Sequence, residues 1–438
     1  MQTLEAQGTQ NPRKLAISAL ERIEKGGYSN IIISDLLKKN RIDDKDRALF
    51  SAIVKGVTER RITLDHIIAS LSSFPLSKID TDALMVLRIG IYQLLYMDSV
   101  PKYAAVNECV SLSRKRSKGF VNAVLRNFIR SGCRYELPDD PHAGMSVEYS
   151  VPVPLLEKFI SVFGEEKTRA IFEKTLEKRY TDVCVNTLKA DVDSFAAELK
   201  KSGYHAERGA LSQYCVKTDA PYYFLEDHFT GEFLAMDEAS QLCGASLGVR
   251  AGDLFLDTCS APGSKSYVAA MSMNNTGRIV SSDLHSSKLS LIISGADRLG
   301  IKIIETREAD ARDFFPDFER AFDCVLCDVP CSGLGVIGGK PEIKYKNVKE
   351  LSALPDIQYA ILSTSSRYVK VGGTLVYSTC TVLPEENELN VQKFLSANSE
   401  FSLEPFKVGN DTCDGMITLT PDVHGTDGFF IAKLKRKS

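Results

Sequence analysis

Short apolar segments alternate regularly with helical segments from about residue 250 onward. The apolar segments include "DLFLD", "GRIVSSD", "FDCVLCD" and "GGTLVYSTC". Short strands that are buried on both faces and separated by helices predict a doubly wound, mostly parallel α/β sheet. Ligands of such sheets bind at the carboxyl ends of the strands, where four carboxylates fall: Asp257, Asp283, Asp310 and Asp328. We therefore predict a ligand-binding α/β domain over residues 231–438.

The chain before this domain shows two further patterns. Residues 12–132 read as successive helices, as in "PRKLAISALERIEKG", where Leu15, Ala19 and Ile23 share one face. After the linker-like "LPDDPHAG", the stretches "DVCVNTLKA", "DVDSFAAELKKSG" and "YCVKTD" predict strand, helix and strand. The predicted organisation is an all-α domain over residues 1–140, a small α/β domain over 141–230 and the larger α/β domain.

Composition narrows the class of protein. Of 438 residues, 44% are hydrophobic and 25% charged, which is ordinary for a globular protein, and the net charge is -3. No apolar run reaches the length of a membrane span, and the N-terminus lacks the apolar core of a signal peptide, so we expect a cytoplasmic protein. Eleven cysteines, an odd number, are better explained as reduced thiols than as disulfides.

One stretch, "CVSLSRKRSKGFVNAVLRNFIRSGCR", is strongly basic and contains no acidic residue. Its cations include Arg114, Lys115, Arg116, Lys118, Arg126 and Arg130. The pattern fits a solvated helix face as well as a surface that contacts phosphates, and charge alone does not separate the two.

The loop after the first strand of the large domain indicates the ligand. Its sequence "DTCSAPGSKS" is neither a Walker loop nor a dinucleotide fingerprint. S-adenosylmethionine fits the pattern of groups at the strand ends. Asp283, after the second strand, could accept hydrogen bonds from ribose hydroxyls, and Asp310, after the third strand, could accept one from an adenine amino group. The tight first loop could hold the polar tail of the molecule. The predicted loop residues are Cys259, Ser260, Ala261, Pro262, Gly263, Ser264 and Lys265.

Three cysteines in "CVLCDVPC" suggest a metal site as one alternative. Cys324 and Cys327, however, lie three apart in a predicted strand and would point to opposite faces, so we predict packing roles for both and no metal. Cys331 lies beyond the end of its strand, and Cys380 ends the next strand. The two thiols and Asp328 should therefore lie together at the same edge of the sheet. A thiolate there can add to C6 of a pyrimidine and make C5 nucleophilic toward the donor's methyl group.

Several motifs resemble the RsmB (Sun/Fmu) group of RNA cytosine-5 methyltransferases, within the NOL1/NOP2/Sun family. The similar segments are "DTCSAPGSK", "DVPCSGLGVI", "YSTCTVLPEEN", "MDEASQL" and "DGFFIAKLKR", and the helical N-terminus with "GGYSNI" and "VNAVLRN" resembles a NusB-like RNA-binding domain. The resemblance implies a Rossmann-like catalytic domain and an RRM-like middle segment. Two departures are Ser264, where the family usually has glycine, and Tyr345, where tryptophan is common.

The resemblance also implies roles for single residues. It assigns nucleophilic attack to Cys380, product release to Cys331 and donor binding to the loop and strand-end acids; we expect Asp328, when protonated, to contact the cytosine N3. The implied substrate is C5 of a cytosine, position 967, in 16S ribosomal RNA as free RNA or an assembly intermediate. A monomer is expected. The alternatives are the same chemistry on another RNA such as tRNA, a non-catalytic RNA-binding assembly factor, and a metal-bound redox module.

Overall fold

The computed structural model describes residues 11–40, 42–178 and 180–438. The chain forms two compact units. The helical unit comprises the described residues up to Glu173 together with Gly339–Val348, and the α/β unit comprises Lys174–Gly338 and Lys349–Ser438. Within the described ranges, no helix combines the length and the apolar character needed to cross a membrane.

The described N-terminal part of the helical unit is all α, as predicted. The first helix begins at Pro12, because Pro suits the first turn and the Asn11 side chain accepts hydrogen bonds from the amides of Arg13 (2.9 Å) and Lys14 (3.3 Å). The helices in chain order are α1 (Pro12–Glu24), α2 (Ser29–Lys39), α3 (Asp44–Glu59), α4 (Arg61–Leu71), α5 (Thr81–Tyr96), α6 (Lys102–Leu112) and α7 (Lys118–Arg130).

Three more helices follow: α8 (Pro141–Tyr149), α9 (Val153–Phe163) and α10 (Glu165–Leu176). The sequence suggested a new domain at residue 141, but the structure groups these residues, as far as Glu173, with the helical unit. The Thr63 hydroxyl of α4 donates to the carbonyl of Val147 in α8 (2.6 Å), and both are buried. Linker-like composition therefore marks a turn within the helical unit.

The segment Gly339–Val348 also belongs to the helical unit. Both the amide and the hydroxyl of Ser29 donate to the carboxylate of Glu342 (3.0 and 2.9 Å). The Tyr345 hydroxyl donates to the carbonyl of Thr58 (2.8 Å). Tyr345, at a position where the family often has tryptophan, thus contributes to the packing of the helical unit.

The α/β unit begins with a small sheet, as predicted. Its elements run β-α-β-β-α-β, and its four strands are antiparallel in the order β2-β3-β1-β4. This arrangement is ferredoxin-like and agrees with an RRM-like middle segment. The elements are β1 (Thr181–Val185), α11 (Val192–Lys201), β2 (Ala206–Arg208), β3 (Cys215–Thr218), α12 (Tyr222–His228) and β4 (Phe233–Ala235).

The larger sheet confirms the doubly wound prediction. Strands β5 to β9 pair in parallel, β14 is antiparallel to β9, and the order is β10-β14-β9-β8-β5-β6-β7, with β13 paired to β14. The elements are α13 (Glu238–Ser246), β5 (Leu254–Asp257), α14 (Ser264–Ser272), β6 (Arg278–Asp283), α15 (Ser286–Leu299), β7 (Ile304–Glu308), β8 (Phe322–Asp328), α16 (Leu354–Ser366), β9 (Val369–Thr379), α17 (Glu388–Ala397), β10 (Phe401–Leu403), β11 (Phe406–Val408), β12 (Asp411–Cys413), β13 (Met416–Leu419), α18 (Pro421–His424) and β14 (Phe429–Arg436).

Candidate active site

The strand-end carboxylates lie at one edge of the larger sheet. Asp257, Asp283 and Asp328 are the last residues of β5, β6 and β8, and Asp310 lies two residues beyond β7. Strand β5 has β6 on one side and β8 on the other, so the strand order reverses there. This reversal point is where doubly wound sheets bind their ligands.

The predicted loop, Cys259 to Lys265, connects β5 to α14 and includes the first two residues of that helix. It is tightly packed. Gly263 has a φ of +105°, and a Cβ at this position would lie 2.6 Å from the Tyr267 hydroxyl. Tyr267 in turn donates to the carbonyl of Pro262 (2.9 Å). Gly263 is also the N-cap, and Ser264 is the first helical residue, so the Ser264 hydroxyl does not cap the helix. The extra side chain in this sequence therefore lies in the first turn of α14.

The remaining polar groups at this edge suit a nucleoside ligand. The buried carboxylate of Asp283 accepts the His285 amide (3.0 Å), and the neighbouring buried Ser282 hydroxyl has no hydrogen-bond partner among the residues that the structure describes. Asp310 forms a bidentate pair with Arg312 (2.9 Å from Nε to Oδ1), which lowers the pKa of Asp310. Ribose hydroxyls can donate to Asp283, which they would share with the Lys288 ammonium (3.5 Å), and an adenine amino group would have to share Asp310 with Arg312.

A partly buried ion pair joins the start of α14 to β8. The Lys265 ammonium lies 2.6 Å from Asp328, and the Ser378 hydroxyl donates to the other oxygen of Asp328 (2.8 Å). Burial opposes the charge of Lys265, but Asp328, followed by the nearby thiols of Cys243 and Cys380, raises its pKa above the ordinary value. Lys265 therefore carries a positive charge that interacts with the Cys380 thiol, an interaction that the sequence pattern did not reveal.

The two predicted cysteines meet at this edge. Their Sγ atoms are 3.0 Å apart, and the amide of Cys380 donates to the Cys331 sulfur (3.2 Å). The hydrogen bond with Cys380, followed by desolvation and by the charges of Glu386 and Asp328, raises the pKa of Cys331 well above its usual value. Cys331 therefore holds its proton, which can be shared with the neighbouring sulfur.

A buried carboxylate holds the loop that carries Cys331. Glu386 accepts the amide of Ser332 (2.9 Å) and the side-chain amide of Gln358 (2.8 Å), and Gln358 also donates to the carbonyl of Pro330 (3.0 Å). Both residues that flank Cys331 are thus held. Glu386 and Gln358 are at most 1% exposed. The "PEEN" stretch was recognised as part of a motif, but nothing in the spacing indicated this contact.

The next residue holds the other cysteine loop. Asn387 accepts the hydroxyl of Thr379 (2.6 Å) and donates to the carbonyl of Thr381 (3.0 Å), so it contacts both neighbours of Cys380. The hydroxyl of Ser332 donates to that of Thr381 (2.8 Å), which connects the two loops directly. All of these groups are buried.

The other cysteines of "CVLCDVPC" pack as predicted. Cys324 lies with Leu326 in the apolar cluster on one face of the sheet, and Cys327 lies with Val325 in the cluster on the other face. Burial raises the pKa of Cys327 to about 12 and that of Cys324 further. Both are therefore protonated packing residues on opposite faces and cannot chelate one ion.

A second cluster of acidic and thiol groups lies near the small sheet, at Asp182, Cys215 and Glu238. The Lys217 ammonium is 3.0 Å from the buried Glu238 carboxylate. Burial, followed by the charge of Asp237, raises the pKa of Asp182 to about 6. Lys217 thus supplies the positive charge that these acids need, and the predicted absence of a bound metal stays a prediction.

The predicted RNA-contacting residues are exposed on the helical unit: Arg114, Lys115, Arg116, Lys118, Arg126 and Arg130. Arg114 and Arg116 form ion pairs with Asp82 and Asp80, which partly neutralise them. Positions 118, 122, 126 and 130 follow one another at four-residue intervals along α7, whose opposite face is apolar and buried. The unneutralised charge therefore forms a line along one side of this helix.

Comparison with known proteins agrees with this geometry. Residues 245–435 match the family described as 16S rRNA methyltransferase RsmB/F, and residues 10–130 match the NusB family. The probable ribosomal RNA small subunit methyltransferase B of Bacillus subtilis (strain 168) is 36% identical over 444 residues, covering 97% of this chain and 98% of the relative. The ribosomal RNA small subunit methyltransferase B of Escherichia coli (strain K12) is 31% identical over 441 residues, covering 98% and 99%.

Solved structures share the fold. The crystal structure of PH0851 is 25% identical, covers 98% of this chain and 99% of its own, and has a TM-score of 0.82. NSun6 from Pyrococcus horikoshii, solved with the S-adenosylmethionine analogue SFG, is 23% identical, covers 66% and 98%, and has a TM-score of 0.57. The chain belongs to the family of ribosomal RNA small subunit methyltransferases B, enzymes that methylate RNA with S-adenosylmethionine as the methyl donor.

Proposed function

We propose that this protein methylates C5 of a cytosine in 16S ribosomal RNA through a covalent bond between Cys380 and C6 of the base. The observation that carries the proposal is the pair of thiols, 3.0 Å apart, at the carboxyl edge of the sheet beside the ion pair of Lys265 and Asp328. Position 967 is the target that the family resemblance implies, and it forms part of the proposal.

Cys380 is the proposed nucleophile for an electrostatic reason. The pKa of Cys331 is raised, first by its hydrogen bond with Cys380, so Cys331 is the member of the pair that favours the protonated form. The fixed positive charge of Lys265 nearby favours a thiolate at Cys380. That thiolate shares an electron pair with C6, and the C5–C6 π electrons move toward C5 and the ring. The family resemblance, which assigns the attack to Cys380, points the same way.

The bound donor supplies an electrophilic methyl group on a positively charged sulfur. Electrons at C5 form the bond to this methyl carbon, and the pair of the broken carbon–sulfur bond remains on the donor sulfur. A base then takes the C5 proton, the C5–C6 double bond re-forms, and the Cys380 sulfur leaves with its electron pair. We assign assistance at this release step to Cys331. The predicted contact between Asp328 and N3 requires a proton between the carboxyl group and the ring nitrogen, and the Lys265 ammonium lies 2.6 Å from the same carboxyl group.

The target base must be unpaired or flipped out before its C6 can reach Cys380. We assign part of the RNA contact to the line of charge on α7, in particular to Lys118, Arg126 and Arg130, because these side chains are exposed and extend along one side of the helix. Phosphate contacts of this kind give affinity and orientation but no base specificity.

The test is methyl transfer to unmodified 16S ribosomal RNA by purified variants. Cys380→Ala should abolish transfer, and Cys331→Ala should accumulate a covalent protein–RNA adduct that survives a denaturing gel. Cys413→Ala changes a partly exposed cysteine elsewhere in the α/β unit and should behave like the wild type. Full activity of Cys380→Ala would refute the proposal. Bisulfite sequencing of ribosomal RNA from cells lacking the protein identifies the nucleotide and separates this substrate from tRNA.

A further inference from the structure

We infer that the dipeptide Glu386–Asn387 is the positioning unit that sets the two catalytic thiols against each other, with one residue assigned to each thiol. This inference rests on the proposed roles of Cys331 and Cys380. Both side chains are at most 1% exposed, and each hydrogen-bonds to residues that flank a cysteine. They position the cysteines through the backbone and side chains of the flanking residues, and the charge of Glu386 also raises the pKa of Cys331.

Glu386 controls the loop of Cys331. Its Oε2 accepts two hydrogen bonds, from the Ser332 amide (2.9 Å) and from Gln358 (2.8 Å), and Gln358 extends the contact to the carbonyl of Pro330 (3.0 Å). Gln358 itself is oriented by Asn390, whose side-chain amide donates to it (3.4 Å). Hydrogen bonds from neutral donors to a charged acceptor are stronger than neutral pairs, and these are buried. The peptide groups on both sides of Cys331 therefore have fixed positions.

Asn387 controls the loop of Cys380 in the same way. It uses its acceptor for the Thr379 hydroxyl (2.6 Å) and its donor for the Thr381 carbonyl (3.0 Å). An aspartate of the same shape would keep the first bond and lose the second, because a carboxylate cannot donate. The side chain is therefore specified as an amide by its two contacts.

The pair is fixed on the sheet by a third contact. The hydroxyl of Tyr377, a fully buried residue of β9, donates to the backbone carbonyl of Glu386 (2.5 Å). Because Glu386 and Asn387 are adjacent in the chain, this anchor fixes both at once. A shift of the dipeptide would therefore move the two loops and change the 3.0 Å spacing between the sulfur atoms.

The two residues should give opposite kinetic defects, which a merely structural role would not. Glu386→Ala releases the Cys331 loop, so attack proceeds and release fails: the covalent adduct with 16S RNA should accumulate, as for Cys331→Ala. Asn387→Ala releases the Cys380 loop, so attack itself should slow by roughly 100-fold, the scale expected when a reacting group is misplaced by about 1 Å. Asn387→Ala should form adduct slowly even on RNA carrying 5-fluorocytosine, which blocks release.

Conservative variants and a neighbour serve as controls. Glu386→Gln keeps an acceptor for Ser332 and Gln358 and should restore most turnover, whereas Asn387→Asp loses the contact to Thr381 and should resemble Asn387→Ala. Leu389→Ala alters an exposed neighbour and should match the wild type. The circular dichroism spectrum should be unchanged in every variant. The affinity for S-adenosylmethionine, measured by calorimetry, should also be unchanged, because the proposed donor site is the loop from Cys259 to Lys265. Both results would exclude misfolding.

The outcomes separate this inference from the function on which it rests. If the wild type forms no adduct with 5-fluorocytosine RNA, the covalent mechanism is wrong. If the wild type and Cys331→Ala form adducts as expected but Glu386→Ala releases product normally, or Asn387→Ala attacks at the normal rate, the positioning roles are wrong. The same holds if both variants lose all steps equally while still binding the donor.

Discussion

The buried carboxyl of Asp257 should make the α/β unit less stable as the pH rises. It ends β5, is 1% exposed, and accepts a hydrogen bond from the Ser266 hydroxyl (2.8 Å). Burial, partly offset by that hydrogen bond and reinforced by the charge of Asp328, raises the pKa of Asp257 from 3.8 to about 7. The folded state therefore keeps a proton that the unfolded chain loses above about pH 4.

The sign and size of the effect follow from proton linkage. Between about pH 4 and pH 7 the folded state binds more protons than the unfolded state, so the free energy of unfolding falls as the pH rises through this interval. At about 1.4 kcal/mol per pKa unit, ionisation of this one group costs about 4 kcal/mol above pH 7. More than half of this loss should fall between pH 5 and pH 8.

Asp257→Asn tests this reasoning, because the amide oxygen can still accept the Ser266 hydroxyl but nothing ionises. The variant should be more stable than the wild type at pH 8 by up to about 4 kcal/mol, with a smaller difference at pH 5. Native-state hydrogen exchange of peptides from β5 and α14, without methyl donor, measures this free energy. Asp297→Asn, at an exposed position on α15, should leave the pH dependence unchanged. Equal pH slopes for Asp257→Asn and the wild type would refute the argument.

Three further changes have defined outcomes. Lys265→Gln should slow methyl transfer by at least about tenfold and shift the pH–rate profile upward, because the Cys380 thiolate loses its positive neighbour; an unchanged profile contradicts that role. Arg126→Ala with Arg130→Ala should weaken RNA binding and reduce the salt dependence by about two counterions, and an unchanged slope in filter binding would argue against contact. Asp283→Asn should raise the Kd for S-adenosylmethionine by roughly 10-fold or more in calorimetry, and equal affinity would remove Asp283 from the ribose site.

Much of the fold could be predicted because burial patterns are local. The alternation of short apolar strands with helices defined the large sheet, and the separation of Cys324 and Cys327 onto opposite faces followed from the two-residue period of a strand. The grouping of α8, α9 and most of α10 with the helical unit could not be predicted in this way. It depends on contacts such as the one between Thr63 and Val147, which join residues 84 positions apart.

For the candidate site, the positions of the main residues could be predicted, but their contacts could not. Strand-end position identified the carboxylates and both thiols, because topology alone brings such residues to one edge. The partners of those groups were not predictable: Asp328 pairs with Lys265, which lies 63 residues earlier, and Asp310 is occupied by Arg312. Glu386 also escaped notice, because a buried acid that holds a backbone amide leaves no periodic signal in the sequence.

The roles of the two thiols depend on which sulfur carries the proton and which carries negative charge. The groups packed around each sulfur bear on both questions. Cys331 is surrounded by groups that oppose a negative charge, namely the other thiol and the carboxylates of Glu386 and Asp328, so it holds its proton at neutral pH. Cys380 has Lys265 among its electrostatic partners. Two sulfur atoms 3.0 Å apart can exchange one proton, as the proposed formation and cleavage of the bond to C6 requires. This asymmetry supports the proposed assignment of attack to Cys380 and release to Cys331, which is also the order that the family resemblance implies.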